Sequence, residues 1–196
     1  MSIELIIAVV VVLGLIFYLI SIYNKLISLK NRVDNGWAQI DVQLQRRYDL
    51  IPNLVETAKG YMKHEKETLK MVIDARNSAN EAAKAASGNP SDQNAMKDLQ
   101  ASEQKLQGAM MSFQALAEGY PDLKANTNML ALQEELATTE NKVGFSRQAF
   151  NDAVMQYNTE IEVFPNSLIA NQFRFAHATE WQIEDQEAKK NVKVTF

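Results

Sequence analysis

Residues 3–22 read IELIIAVVVVLGLIFYLISI, and their only charged side chain is Glu4, near one end. Twenty helical residues rise about 30 Å, which is the thickness of the hydrocarbon core of a bilayer. Backbone groups in lipid must hydrogen-bond within their own segment, so a helix is expected despite the β-branched valines. The stretch therefore predicts one transmembrane helix, and we take residues 1–24 as a membrane anchor.

A cleaved signal peptide is the alternative for this segment. No basic residue precedes the apolar run, and the residues that follow it, SIYNKLISLK, contain no small-residue cleavage site. Both features favour an uncleaved anchor. The flanking cations Lys25, Lys30 and Arg32 all follow the span, so the positive-inside rule predicts a cytoplasmic C-terminal part and a short N-terminus outside.

Composition narrows the class of the remaining chain. Of 196 residues, 46% are hydrophobic and only 7 are Gly and 4 are Pro, which favours long helices around a core. The chain has no cysteine, which excludes disulfides, cysteine-ligated zinc and iron–sulfur clusters. A net charge of −4 makes it a poor nucleic-acid binder, so no nucleic-acid partner is predicted.

Apolar residues recur every three or four positions along four segments separated by prolines, which predicts four long helices. The first leaves the membrane without a break and ends near Tyr48, and the second begins near Pro52, unless one kinked helix joins the two. The third carries one polar residue, Glu103, in its apolar seam, and the seam of the fourth ends at Phe164. The seam of the first consists of Ile22, Leu26, Leu29, Val33, Trp37, Ile40 and Leu44.

Short connections between such helices favour antiparallel neighbours. We therefore predict an all-α fold in which the transmembrane helix continues into an antiparallel four-helix bundle of long helices, residues 25–165. The remaining residues, 166–196, form an extended C-terminal tail. Val192, Val194 and Phe196 alternate in its ending VKVTF, which predicts a strand that needs a partner. Two interpretations stay open: the tail lies along its own bundle, or it clasps a neighbouring copy.

Polar and charged residues crowd the predicted turn between the first two helices. They either hold the junction by charged hydrogen bonds or form a patch for an acidic partner or a lipid head group. Gly36 lies inside the first helix, and a close helix crossing beside Trp37 would explain it. The candidate structural or interaction residues are Trp37, Asp41, Arg46, Arg47, Tyr48, Asp49, Pro52, Asn53, Trp181, Val192, Val194 and Phe196.

The sequence contains none of the common catalytic patterns. Its seven glycines are dispersed, so there is no phosphate-binding loop, and no G-x-S-x-G elbow occurs. His64-Glu65 begins like a zinc-protease helix, but Thr68 stands where the second histidine is needed. We predict no catalytic residues, no metal, no cofactor and no small-molecule substrate, and therefore a protein that is not an enzyme.

Three long stretches resemble the LemA family. They are KNRVDNGWAQIDVQLQRRYDLIPNLVETAKGYMKHE (30–65), EGYPDLKANTNMLALQEELATTENKV (118–143) and FNDAVMQYNTEIEVFP (150–165), and the ending KVTF is similar too. Gly36 departs from the family pattern, in which a small alanine is expected. The resemblance implies a bacterial-type inner-membrane protein with a helical-bundle domain, and it carries over no catalytic residues.

These features favour two functions. One is a homo-oligomeric scaffold that organises or shapes the membrane, with membrane lipid and further copies of the chain as its partners. The alternative is a membrane-tethered adaptor that presents its bundle to another membrane or signalling protein, using the charged residues around Arg46 and Asp49.

Overall fold

A computed structural model describes residues 2–88, 90 and 92–182. Within those ranges the fold is all-α and contains no strand, which confirms the predicted class. The predicted strand with Val192, Val194 and Phe196 lies outside the described residues. The helices are α1 (Ile3–Lys59), α2 (Lys66–Gly88), α3 (Gln93–Ala117), α4 (Pro121–Lys124), α5 (Thr127–Glu162) and α6 (Asn166–Gln172).

Helix α1 joins the apolar span to the bundle without interruption over 57 residues, or roughly 85 Å at 1.5 Å per residue. Its N-terminal part is the one stretch of the described chain with the length and composition of a membrane span, and almost none of it is buried by the protein. Every member of the predicted seam, from Ile22 to Leu44, is buried. Along α1, the change from exposed to buried side chains on this face therefore occurs at about Ile22.

The four long helices run up, down, up and down, as predicted. Lys25 bonds to Glu160 (2.7 Å) and Arg47 to Glu140 (2.7 Å), so α1 and α5 are antiparallel. Trp37 Nε1 donates to Ser87 Oγ (3.2 Å), and Gln45 donates to Asn80, so α2 also runs against α1. Helix α3 returns beside α2, and the short helices α4 and α6 lie at the two ends of α5.

The structure shows the alternative of a single helix: the turn expected at Asp49–Pro52 is wrong, because α1 continues through Pro52 to Lys59. A proline lacks an N–H and leaves the carbonyl four residues earlier without its helical partner. That carbonyl belongs to Tyr48, and Arg76 Nε from α2 donates to it at 2.8 Å. Replacement of the lost bond explains why the helix tolerates this proline. The first bundle turn lies instead at residues 60–65, where Gly60 and Glu65 flank a bend.

Gly36 marks a close crossing of α1 and α5. A β-carbon built on Gly36 would lie 3.3 Å from the Cα of Phe150, which is backbone and cannot rotate away. Trp37 is buried next to it and packs edge-on against the Phe150 ring, at 5.7 Å between centroids. The absence of a side chain at Gly36 thus allows the two longest helices to touch.

We expect Gly36→Leu to destabilise the bundle by about 1–3 kcal/mol, since the added atoms overpack the crossing. The control is Gly108→Leu in α3, where nothing lies within 4 Å of the new β-carbon. That change should stabilise the chain by up to about 1 kcal/mol through helix propensity. Thermal unfolding of the full chain in mild detergent, followed by circular dichroism, measures both. Equal effects of the two substitutions would contradict a tight crossing.

The chain after α6 is extended and lies along α5 as far as the structure describes it. The side-chain amide of Asn158 accepts from the N–H of Ala178 and donates to its carbonyl, both at 2.9 Å. Asn151, two turns earlier, does the same for Trp181, at 2.9 and 3.1 Å. These two asparagines satisfy tail backbone groups that have no strand partner.

Candidate functional site

A charged cluster lies inside the bundle where α1, α3 and α5 meet. Arg47 forms an ion pair with Glu103 of α3, and both side chains are about nine-tenths buried. A second guanidinium nitrogen of Arg47 reaches Glu140 of α5 at 2.7 Å. The hydroxyl of Tyr48, which is fully buried, donates to Glu103. One arginine therefore ties three helices together through charge-assisted hydrogen bonds.

Burial is the main cause of a raised pKa at Tyr48, to about 12 against an ordinary value of 10.0. The neighbouring Arg47 and Arg76 cations oppose that rise, and the Asp41 carboxylate adds to it. The neutral phenol is therefore the form that the folded bundle favours. It remains a hydrogen-bond donor to Glu103 throughout the physiological pH range.

This raised pKa predicts a loss of stability at high pH. The unfolded phenol ionises near pH 10 and the folded one near pH 12, so the stabilising effect of Tyr48 is complete below pH 10 and disappears as the pH rises towards 12. The expected change is about 2–3 kcal/mol for a shift of this size. Denaturant unfolding of the full chain between pH 9 and about pH 12 should show a steeper decline than in Tyr48→Phe. Parallel declines in the two proteins would contradict the assignment.

An open groove of about 560 Å³ separates α3 from α5 beside this cluster. Its lining runs along α3 from Glu103 to Gln114 and along α5 from Gln133 to Arg147, so it is roughly 17–20 Å long. Apolar residues of all three helices, Leu54, Leu106, Phe113, Leu136 and Val143 among them, form much of its wall, and glutamines lie among them. Trp181 lines it as well. The groove is thus an elongated, mostly apolar slot with amide groups, which suits an extended peptide better than a small polar molecule.

Two buried N–H donors in the groove lining have no partner among the described residues. They are Nε of Arg47 and Nε1 of Trp181. Buried polar groups without a partner are uncommon in folded proteins, because each costs about 1–3 kcal/mol. Both donors belong to residues that are more than nine-tenths buried.

Trp181 itself is held by aromatic packing. Its ring centroid lies 6.0 Å from that of Trp37 in α1, and it is only 1% exposed. Gln100 of α3 donates to the carbonyl of Glu180 at 3.4 Å. The described tail therefore ends on the bundle, between α3 and α5, at the groove.

The structure places the predicted site residues in different environments. Arg47 and Tyr48 meet in the buried cluster, and Trp37 meets Trp181. Arg46 is exposed and bonds to Glu135, while Asp49 lies near Arg76 at 3.5 Å and Asn53 donates to the Asp49 carbonyl. One carboxylate oxygen of Asp41 is buried without a partner among the described residues. Asp49 and Pro52 lie within α1, so neither of them stands at the start of a second helix.

Sequence reasoning missed the residues that complete these contacts. Glu103 was visible as a polar residue in an apolar seam, yet its partner Arg47 lies 56 positions away. Arg76 gave no signal of its role, since only the fold brings it to Tyr48. Asn151 and Asn158 share a heptad spacing on α5, which was a detectable pattern.

Among the residues that the structure describes, no group of three or more His, Cys, Asp or Glu side chains is arranged to hold a metal ion. Residues 36–196 match the LemA family. The chain belongs to the LemA family. The matched range begins at the Gly36 crossing, so the buried cluster, the groove and the tail all lie within the LemA region.

One relative carries the name of the LemA family. The chain is 24% identical to Protein LemA of Metamycoplasma hominis over 174 residues, which is 88% of this chain and 75% of the relative. The similarity therefore covers most of both proteins. It does not by itself assign an activity.

Proposed function

We propose that this LemA-family protein is a non-enzymatic, membrane-anchored scaffold whose copies assemble side by side. The proposed link is the C-terminal segment of one copy, residues 183–196, bound in the α3–α5 groove of the next. The observation that carries the proposal is the groove itself: a mostly apolar slot, open between α3 and α5, at the place where the described tail ends. An extended segment supplies backbone carbonyls, which the glutamine amides along the groove can bind as donors.

The sequence and length of the segment allow it to reach a neighbouring groove. The residues directly after Gln182, IEDQEAKK, carry five charges, whereas Val192, Val194 and Phe196 are apolar. Fourteen extended residues reach up to roughly 46–50 Å, more than twice the length of the groove. The charged part can therefore cross the gap between bundles, and the apolar end can then enter an apolar slot.

The anchor supports assembly in a second way. Every copy with α1 in the same membrane is confined to one plane, and all share one orientation. Grooves and tails of adjacent copies then lie at the same height, which raises their effective concentration. We further propose that the membrane is the inner membrane of a bacterial-type cell, with the bundle in the cytoplasm, because the cations Lys25, Lys30 and Arg32 follow the span.

Cysteine cross-linking tests the assembly directly, since the chain has no cysteine of its own. One copy carries Gln107→Cys in the groove, and a co-expressed copy of different size carries Val194→Cys. Oxidation in membranes should link the two copies. The matched control is Asn77→Cys on α2, an exposed site outside the groove, which should not form the link.

Two results would contradict the scaffold. If a chain with both cysteines closes only on itself, the tail fills its own groove. A monodisperse monomer in mild detergent, measured by mass photometry, would count against assembly by any route. The orientation has a separate test, in which protease added to inverted membrane vesicles should digest the bundle and protease added to intact spheroplasts should not.

The adaptor alternative has less support from the described residues. It relied on a charged turn between the first two helices, but those residues lie within α1 and Arg47 is buried. The polar residues of this stretch that are exposed are Arg46, Asp49, Asn53 and the nearby Glu56. Recovery of a different membrane protein, cross-linked through Gln107→Cys, would favour the adaptor. Recovery of copies of this chain alone would exclude it.

A further inference from the structure

Large apolar side chains are exposed where α5 turns into α6 and where α6 ends. We call residues 163–173 the α5–α6 corner. Phe164 is 79% exposed, although the helical period of α5 predicted it as the last member of the buried seam. Leu168 and Phe173, at 61% and 57%, are exposed as well, and Val163 is partly so. Several such side chains within eleven residues are more than the isolated apolar residues that ordinary surfaces carry.

The α5–α6 corner lies at the height where the membrane span ends. Glu160, two residues before the end of α5, pairs with Lys25 of α1 at 2.7 Å. Asn166, the first residue of α6, donates to the same Glu160 at 2.7 Å. The Phe173 ring packs on Tyr23, with 4.8 Å between centroids. Both ends of α6 are therefore level with Tyr23 and Lys25, which directly follow the apolar run of α1.

The chemistry of this level is that of a membrane interface. Aromatic side chains and cations are typical of the layer between acyl chains and water. Arg174 is exposed and stands between Phe173 and Phe175, whose rings both contact Tyr23. Arg174 also has a left-handed backbone, with φ 55°, which an arginine adopts only at a cost. The Lys25–Glu160 ion pair lies at this level as well, and so do the side chains of Glu162 and His177, which are 3.6 Å apart.

We propose that the α5–α6 corner is a second membrane contact, in which Phe164, Leu168 and Phe173 enter the interfacial layer of the bilayer beside Tyr23. The bundle then touches lipid on two sides of its lower end, through α1 and through the corner, and its tilt is restricted. A lipid surface is favoured over another copy because the corner is continuous with the span. The proposal rests on the membrane insertion of α1 and is independent of assembly through the groove.

Depth-dependent fluorescence quenching tests the corner. Phe164→Trp is introduced into the full chain and reconstituted in phosphatidylcholine vesicles that contain a lipid with a nitroxide on its upper acyl chain. The two native tryptophans are buried, so their signal is subtracted with the unchanged chain. The matched control is Phe145→Trp, which replaces a phenylalanine of similar exposure within α5, far from the span. A second control, Phe17→Trp, reports on the span itself.

We expect the lipid nitroxide to quench most of the added tryptophan emission in Phe164→Trp and little of it in Phe145→Trp. Iodide in the water should quench Phe145→Trp strongly and Phe164→Trp weakly. If Phe17→Trp is quenched by lipid while Phe164→Trp responds only to iodide, the corner lies in water and the proposal fails alone. If Phe164→Trp is protected from both quenchers, protein covers it and the proposal also fails. If Phe17→Trp escapes lipid quenching, the membrane anchor fails and the corner contact fails with it.

Discussion

Arg47→Ala is expected to lower the free energy of unfolding by about 3–5 kcal/mol, the usual cost of removing one partner from a buried ion pair. The substitution leaves the Glu103 carboxylate buried, with the Tyr48 hydroxyl as its remaining hydrogen-bond partner among those described. It also removes the ion pair that joins α1 to Glu140 of α5. Denaturant unfolding of the full chain in mild detergent measures the loss.

The neighbouring arginine provides a matched control. Arg46 also pairs with a glutamate of α5, but its side chain is 55% exposed against 10% for Arg47. Exposed ion pairs contribute less than about 1 kcal/mol, so Arg46→Ala should have little effect. Arg47→Met and Glu103→Leu combined with Tyr48→Phe remove both buried charges and the hydroxyl that would otherwise lose its acceptor, and should recover most of the stability. Similar losses for Arg46→Ala and Arg47→Ala would contradict the buried cluster.

Trp181→Ala is the second change with a large expected effect, about 3–5 kcal/mol, because it removes a fully buried indole. The substitution removes the packing against Trp37 and enlarges the end of the α3–α5 groove. The tail keeps its hydrogen bonds to Asn151 and Asn158 but loses its largest buried side chain, so trypsin should cleave after the exposed Arg174 faster than in the unchanged chain.

An exposed aromatic residue serves as the control for this prediction. Phe145 is 73% exposed, and Phe145→Ala should change stability by less than about 0.5 kcal/mol. Cleavage after Arg174 should not accelerate in that protein. If Trp181→Ala matches Phe145→Ala in both measurements, the tail is not anchored by its tryptophan.

The buried faces of the helices were predictable because residues three and four apart share one side of a helix. Ile22 to Leu44 followed that rule without exception, and so did Glu103, whose place in an apolar seam marked it as unusual. Phe164 followed the same period and is exposed all the same. The period could not reveal this, because α5 ends two residues earlier and the periodicity no longer describes the backbone.

The site was less predictable because its contacts join residues far apart in sequence. Arg47 and Glu103 were each visible, but nothing local pairs residues 56 positions apart. The turn predicted at Pro52 failed for the same reason. A proline normally breaks a helix by leaving one carbonyl without a donor, and the donor that restores the bond, Arg76, is on another helix.

The amino-acid sequence by itself determined the apolar span, the helical class and the sides of the helices that face inward, since each follows from side-chain polarity read at a fixed helical period. Only the tertiary structure decided where α1 ends, which charges are buried together, that a groove opens between α3 and α5, and that the α5–α6 corner meets the level of the span. These depend on how separate helices are placed against each other, and a hydrogen bond or a cavity between two helices is a property of both together.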